Sequence, residues 1–132
     1  MKNLKILVVD DEPIVLESCK AILEAEGFIV SIVKNVSDAC VAREKEHFNL
    51  LLIEITMQIR NDMYFVEETK KKWPKVPIIM MSGYSTPEMI TKSIEMGAAR
   101  FIAKPFTPDE LLTTIHEVIR KEESCEEKGP GN

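Results

Sequence analysis

Short apolar runs alternate with amphipathic stretches from one end of this chain to the other, and that alternation limits its fold more than any other feature. Leu4 to Val9 is flat and unbroken, the pattern of a strand buried on both faces. Pro13 to Glu26 then carries Val15, Cys19, Ile22 and Leu23 at helical spacing, and Gly27 closes it. The cycle repeats with a strand over Phe28 to Val33 and a helix over roughly Ser37 to Glu46. Asn49 to Ile55 is the most apolar run and reads as a central strand, followed by a helix over roughly Asp62 to Trp73 that Pro74 stops. Val76 to Met81 precedes a helix opened by Thr86-Pro87-Glu88 and closed by Gly97. Arg100 to Ala103 precedes a last helix, which starts at the capping box Thr107-Pro108-Asp109-Glu110 and runs to about Lys121.

Five βα units in 132 residues predict an α/β fold, a doubly wound five-stranded parallel sheet with helices on both faces. An eightfold barrel needs about twice the residues. The reading is one domain over residues 1–121. The segment 122–132, with four glutamates and Gly-Pro-Gly, is expected to form a flexible acidic tail.

The net charge of −5 argues against a nucleic-acid-binding face and suits a partner protein or a bound cation. Cys19, Cys40 and Cys125 are odd in number and form no CxxC or Cys/His cluster, which predicts a reducing, cytoplasmic setting. His47 and His116 fall in polar helical surroundings and read as solvent-facing. The methionines read as adaptable core filler. Apolar runs fall far short of membrane-spanning length, so no membrane partner is expected.

In doubly wound sheets ligands bind beyond the carboxyl ends of the strands. Asp10-Asp11, Glu54, Ser82-Gly83 and Lys104-Pro105 each fall at such an end, on the first, third, fourth and fifth strands. Three carboxylates drawn together repel one another, a repulsion relieved by a hard cation with oxygen ligands, for which Mg2+ is the natural candidate. Lys104 adds a point charge and Ser82 a hydroxyl, both suited to the oxygens of a transferring phosphoryl group. Taken singly, Asp11 and Glu12 read as charges at a helix N-terminus and Lys104 as a surface lysine. The four loops together point to a phosphoryl-transfer site.

The sequence resembles a receiver domain of two-component response regulators over about residues 3 to 121. The likeness is carried by Ile6-Leu7-Val8-Val9-Asp10-Asp11-Glu12-Pro13, by Met80-Met81-Ser82-Gly83-Tyr84, and by Gly97-Ala98-Ala99 through Phe101-Ile102-Ala103-Lys104-Pro105-Phe106. The resemblance implies a flavodoxin-like, CheY-like (βα)5 fold with strand order 2-1-3-4-5, and a signalling module rather than an enzyme. It implies Mg2+ held by Asp10, Asp11, the residue at Glu54 and the Thr56 backbone carbonyl. It further implies phosphoryl contacts from Ser82 and Lys104, with Ser82 and Phe101 as switch residues. A histidine kinase would be the phosphodonor. An effector protein would dock on helix four, strand five and helix five, a face that also offers a homodimer contact. Phe101 has a plainer reading as core, and without a hydroxyl it lacks the hydrogen bond a tyrosine makes.

The departure from the family pattern is Glu54, which stands where an aspartate accepts the phosphoryl group. The following loop also differs, with Gln58 at the usual proline and no glycine before helix three. A glutamate carboxylate reaches about 1.5 Å further, one carbon–carbon bond. Its oxygens then lie toward where phosphoryl oxygens would be, within reach of Lys104 or Ser82. The expectation is a degenerate receiver that works as a protein-interaction switch biased by Glu54. The alternative is a Mg2+-dependent phosphoacceptor modified on Glu54 or on Ser82, Thr56 or Asp62 nearby.

Overall fold

The computed structural model describes residues 3–55 and 60–128, the side chains of 60–62 and 122–128 excepted. Among the described residues five strands and five helices alternate strictly. They are β1 (Lys5–Val9), α1 (Pro13–Ala25), β2 (Ile29–Val33), α2 (Val36–Lys45), β3 (Leu50–Glu54), α3 (Arg60–Lys72), β4 (Ile78–Ser82), α4 (Pro87–Glu95), β5 (Arg100–Ala103) and α5 (Pro108–Lys128). The strands form one parallel sheet, as the alternation predicts, in the order β2-β1-β3-β4-β5 that the family resemblance implies. Among the described residues no helix is long and apolar enough to cross a membrane.

Successive strand residues point to opposite faces, so unbroken apolar strands feed two cores. On one face Ile6, Val8, Leu50, Leu52, Ile79 and Met81 pack against α1 and α5 through Leu16, Cys19, Leu23, Leu111 and Ile115. On the other, Leu7, Val9, Leu51, Ile53, Ile78 and Met80 meet α2, α3 and α4 through Ala39, Phe65, Val66 and Met89. Met80, Met81 and Met89 are buried, in keeping with their reading as core filler.

The helix ends follow the local chemistry read in the sequence. Gly27 and Gly97 take φ of +95° and +104° just past α1 and α4, where a β-carbon would be strained. Thr107 and Glu110 form the capping box reciprocally: Thr107 N–H donates to Glu110 Oε1 at 2.8 Å, and Glu110 N–H donates to Thr107 Oγ1 at 3.1 Å. Asn35 caps α2 by accepting from Asp38 N–H at 2.7 Å, which starts that helix at Val36 rather than Ser37.

Several element bounds differ from expectation by a residue or two, and two of them have a clear local cause. β4 keeps Ser82 as its last residue, because Ser82 pairs with Ala103 and its carbonyl accepts the Lys104 N–H at 2.9 Å. α5 continues to Lys128 instead of stopping near Lys121. Glutamate and lysine are good helix formers, and propagating an existing helix needs no apolar surface to bury.

Candidate functional site

The parallel register brings the carboxyl ends of four strands level. Val9 pairs with Ile53, Glu54 with Met81, and Ser82 with Ala103. Asp10 follows Val9 and Lys104 follows Ala103, so both emerge beside Glu54 at one edge of the sheet. The Lys104-Pro105 peptide is cis.

Lys104 is the centre of this site. Its ammonium donates to Asp10 Oδ2 at 3.0 Å, to Glu12 Oε1 at 2.6 Å and to Glu54 Oε1 at 3.1 Å. An ammonium has three N–H donors, so this set uses all of them. The Lys104 side chain is only 11% exposed, which rules out the plain surface-lysine reading. Asp10 is fixed from two sides, because its Oδ1 also accepts the Glu12 N–H at 2.8 Å. Of the two partners within reach of Glu54 on sequence grounds, Lys104 is the one it meets. Ser82 is fully buried, and its Oγ accepts the Tyr84 N–H at 2.9 Å.

The electrostatics follow from burial with too little positive charge. Burial raises the Asp10 carboxyl above its ordinary value, against the lowering pull of the Glu12 N–H and of Lys104. Burial likewise raises Glu54; the Lys104 hydrogen bond and charge oppose this, and the charges of Asp10 and Asp11 add to it. For Lys104 burial favours the neutral amine, but hydrogen bonds to Glu12, Asp10 and Glu54 outweigh it and hold the ammonium well above its ordinary range. Cys19, packed beneath the site, has its thiol pushed up to about 11 by burial and by the nearby Asp10 charge. A thiol so held is an inert core group.

Carboxylate oxygens from Asp10, Asp11, Glu12 and Glu54 lie within 4.8 Å of one another. Four oxygen donors from carboxylates are the chemistry of a hard divalent cation. The residues therefore fit Mg2+ better than a soft metal, and Glu12 joins the three carboxylates singled out in the sequence. Two clefts reach the cluster. One of about 450 Å³ is bordered by Asp10, Asp11, Lys34, Glu54 and Tyr64, and one of about 550 Å³ by Glu12, Ile14, Glu54, Tyr84 and Lys104. Glu54 borders both, so it is approachable from either side although its side chain is 14% exposed.

Phe101, on β5, pairs with Met80 of β4 and is half-buried against the core that faces α2, α3 and α4. Thr56, with Met57, Gln58 and Ile59, lies outside the described residues, as does the Asp62 side chain. His47 is exposed as expected, its ring edge-on to Trp73 at 5.4 Å. His116 is not simply solvent-facing: it is half-buried, 6.1 Å from the Phe28 ring and 3.7 Å from Glu26 Oε1. The residue that sequence reasoning left out of the site is Glu12. Its backbone occupies the N-cap position of α1, yet its carboxylate makes no cap and turns to Lys104. The consecutive run Asp10-Asp11-Glu12 was the available signal.

Residues 6–116 match the response regulator receiver domain family. The nitrogen assimilation regulatory protein NtrX of Azorhizobium caulinodans is 34% identical over 116 residues, covering 86% of this chain and 26% of that protein. The crystal structure of NtrX from Brucella abortus superposes with a TM-score of 0.90 at 27% identity, covering 98% of this chain and 30% of that one. A CheY-like receiver domain protein from Methanospirillum hungatei gives 0.84 at 34% identity, covering 93% of this chain and 98% of its own. The chain spans a quarter to a half of the length of the curated relatives it matches.

Proposed function

The chain belongs to the response regulator receiver domain family of two-component signalling, and we propose that Glu54, rather than a phosphorylated aspartate, sets its state. The observation that carries this reading is the 3.1 Å hydrogen bond from Lys104 to Glu54 Oε1. The ammonium that would meet a phosphoryl oxygen already holds a carboxylate one bond longer than aspartate. The mimicry is partial, because a carboxylate brings one negative charge and a phosphoryl group nearly two with three acceptor oxygens.

In this reading Asp10, Asp11 and Glu54, with the Thr56 carbonyl, hold Mg2+. When bound, the ion supplies charge neutralisation beside the Glu54 carboxylate. Lys104 orients that carboxylate, and Ser82 supplies a hydroxyl at the same strand edge. Ser82 and Phe101 carry the state to the face of α4, β5 and α5, where an effector protein or a second copy docks. The domain acts in the cytoplasm opposite a histidine kinase whose phosphoryl group it no longer needs. In-line attack by Glu54 is disfavoured, since a displacement of this size from reacting geometry costs about a hundredfold in rate.

The test is incubation with Mg2+ and acetyl phosphate, followed by intact mass. The expected result is no stoichiometric adduct. A stoichiometric phosphoryl adduct on Glu54 or on Ser82, Thr56 or Asp62 would overturn the reading and establish a working phosphoacceptor.

A further inference from the structure

Glu12 makes the shortest contact in the site, 2.6 Å from its Oε1 to the Lys104 ammonium, and nothing in the phosphoacceptor chemistry accounts for it. Its side chain is 58% exposed, whereas those of Asp10 and Glu54, the other two partners of Lys104, are 0% and 14% exposed. Lys104 therefore has two buried partners inside the carboxylate cluster and one at its rim. A divalent ion seated among these carboxylates repels the ammonium and competes with it for the negative charge of Asp10 and Glu54. The lysine and the cation are competitors for Asp10 and Glu54.

We propose that Glu12 is a positioning residue for cation binding: it retains Lys104 at the rim when a divalent ion takes Asp10 and Glu54, and so lowers the cost of displacing the lysine. Without Glu12 the ammonium, on a side chain 11% exposed, gives up both remaining partners and is left unpaired. The cost of losing Glu12 is then small in the cation-free state, where Lys104 keeps two carboxylates, and large in the cation-bound state, where it keeps none. The inference rests on the Mg2+ reading of the preceding subsection.

The experiment is a double-mutant cycle on the full 132-residue chain, with Glu12→Gln, Lys104→Met and the pair together. Mg2+ binding to each is measured by calorimetry, and folding is checked by circular dichroism. Glu12→Gln is expected to weaken Mg2+ binding in the presence of Lys104 by about threefold to fivefold more than it does beside Met, the range of an exposed ion pair. Glu12→Asp, which keeps the charge, recovers part of the loss. An equal loss in both backgrounds refutes the proposal, because Glu12 then acts only through its charge. A larger loss beside Met also refutes it, because Glu12 is then a cation ligand that Lys104 occludes. Should Lys104→Met fail to fold, Lys104→Gln closes the same cycle. Failure of the wild-type chain to bind Mg2+ overturns the Mg2+ reading itself and the proposal with it, an outcome distinct from binding without coupling.

Discussion

Lys104→Met is the substitution that tests the site most directly. It leaves a long unbranched side chain in place and removes the one cation that Asp10, Glu12 and Glu54 share. Asp10 and Glu54 are 0% and 14% exposed at the side chain, so their loss falls under the rule for buried pairs broken by removing one partner, about 3–5 kcal/mol. Glu12 is 58% exposed and adds at most about 1 kcal/mol. Part of this cost is relieved by protonation, because burial already raises Asp10 and Glu54 and loss of the lysine removes the pull that opposes it. The net expectation is a loss of about 2–4 kcal/mol near neutral pH in the presence of a chelator. A carboxyl whose folded-state pKa is raised binds its proton more tightly when folded. It contributes stability below the unfolded value and loses it as pH rises through the folded value. The deficit of the variant must therefore shrink as pH falls toward about 5, and shrink again when Mg2+ is added. Urea denaturation at both pH values, with chelator or Mg2+, measures all three effects. A deficit that is the same at both pH values and indifferent to Mg2+ would mean that Lys104 is packing, not charge, and the account of the site would fail.

Glu54→Asp returns the shorter carboxylate to the end of β3, and incubation with Mg2+ and acetyl phosphate is expected to give an adduct by intact mass that the wild-type chain lacks. Thr69→Val takes away the hydroxyl that accepts from Arg43 Nη1 at 2.8 Å. Because Arg43 is 5% exposed and its Nε makes no hydrogen bond, with only the Glu44 carboxylate 3.5 Å away, urea denaturation should report a loss of about 1–3 kcal/mol. Gly97→Ala forces a β-carbon onto φ of +104° and to 3.0 Å from Lys70 Cε. The lysine tip can yield and the backbone cannot, so a loss of about 1–2 kcal/mol is expected from denaturation, and Lys70→Ala should not rescue it. Cys19, fully buried with its thiol at about 11, should resist iodoacetamide near neutral pH in the folded protein and react in urea, as read by peptide mapping.

The fold was largely legible because its signals are redundant. Leu50 to Ile53 has only one compact way to bury both faces, and Gly27, Gly97, Thr86 and Thr107 mark helix ends by local chemistry. The placement of Asp10, Glu54, Ser82 and Lys104 at one edge was legible for the same reason, since the ends of parallel strands share a side. Side-chain direction was not. Glu12 at a helix start reads as a dipole charge, and only the approach of Lys104 from a strand 92 residues away gives its carboxylate a better partner. Arg43, in the charged run Arg43-Glu44-Lys45-Glu46, carries no sequence signal of burial. It is nevertheless buried over the Phe65 ring at 5.1 Å with Thr69 as its acceptor, partners supplied by a different helix. Long-range pairing of polar groups has no sequence period, so periodicity cannot reveal it.

The charge at the strand edge explains why Glu54 and a cation belong to one argument. Asp10, Asp11, Glu12 and Glu54 set four negative charges against the single positive charge of Lys104, a deficit of three. Burial is the main cause of the raised carboxyls of Asp10 and Glu54, and the neighbouring negative charges, Glu12 beside Asp10 and Asp10 and Asp11 beside Glu54, add to it. A divalent ion reduces the deficit to one, whereas a phosphoryl group in place of the Glu54 carboxylate deepens it by nearly one more charge. In a phosphorylated receiver the lysine would be claimed by the phosphoryl oxygens. Here it is divided among three carboxylates, so Glu54 holds it without monopolising it. On the proposed reading the arrangement would respond to a divalent cation more than to phosphate, because whatever releases Lys104 from Asp10 and Glu54 would act on the residue that directly follows β5. Substituting Glu54→Gln keeps the length and removes the charge. It should strengthen the claim of Asp10 and Glu12 on Lys104 while weakening cation binding, and opposite movements of those two quantities, read by the pH dependence of stability and by Mg2+ calorimetry, are what this electrostatic account requires.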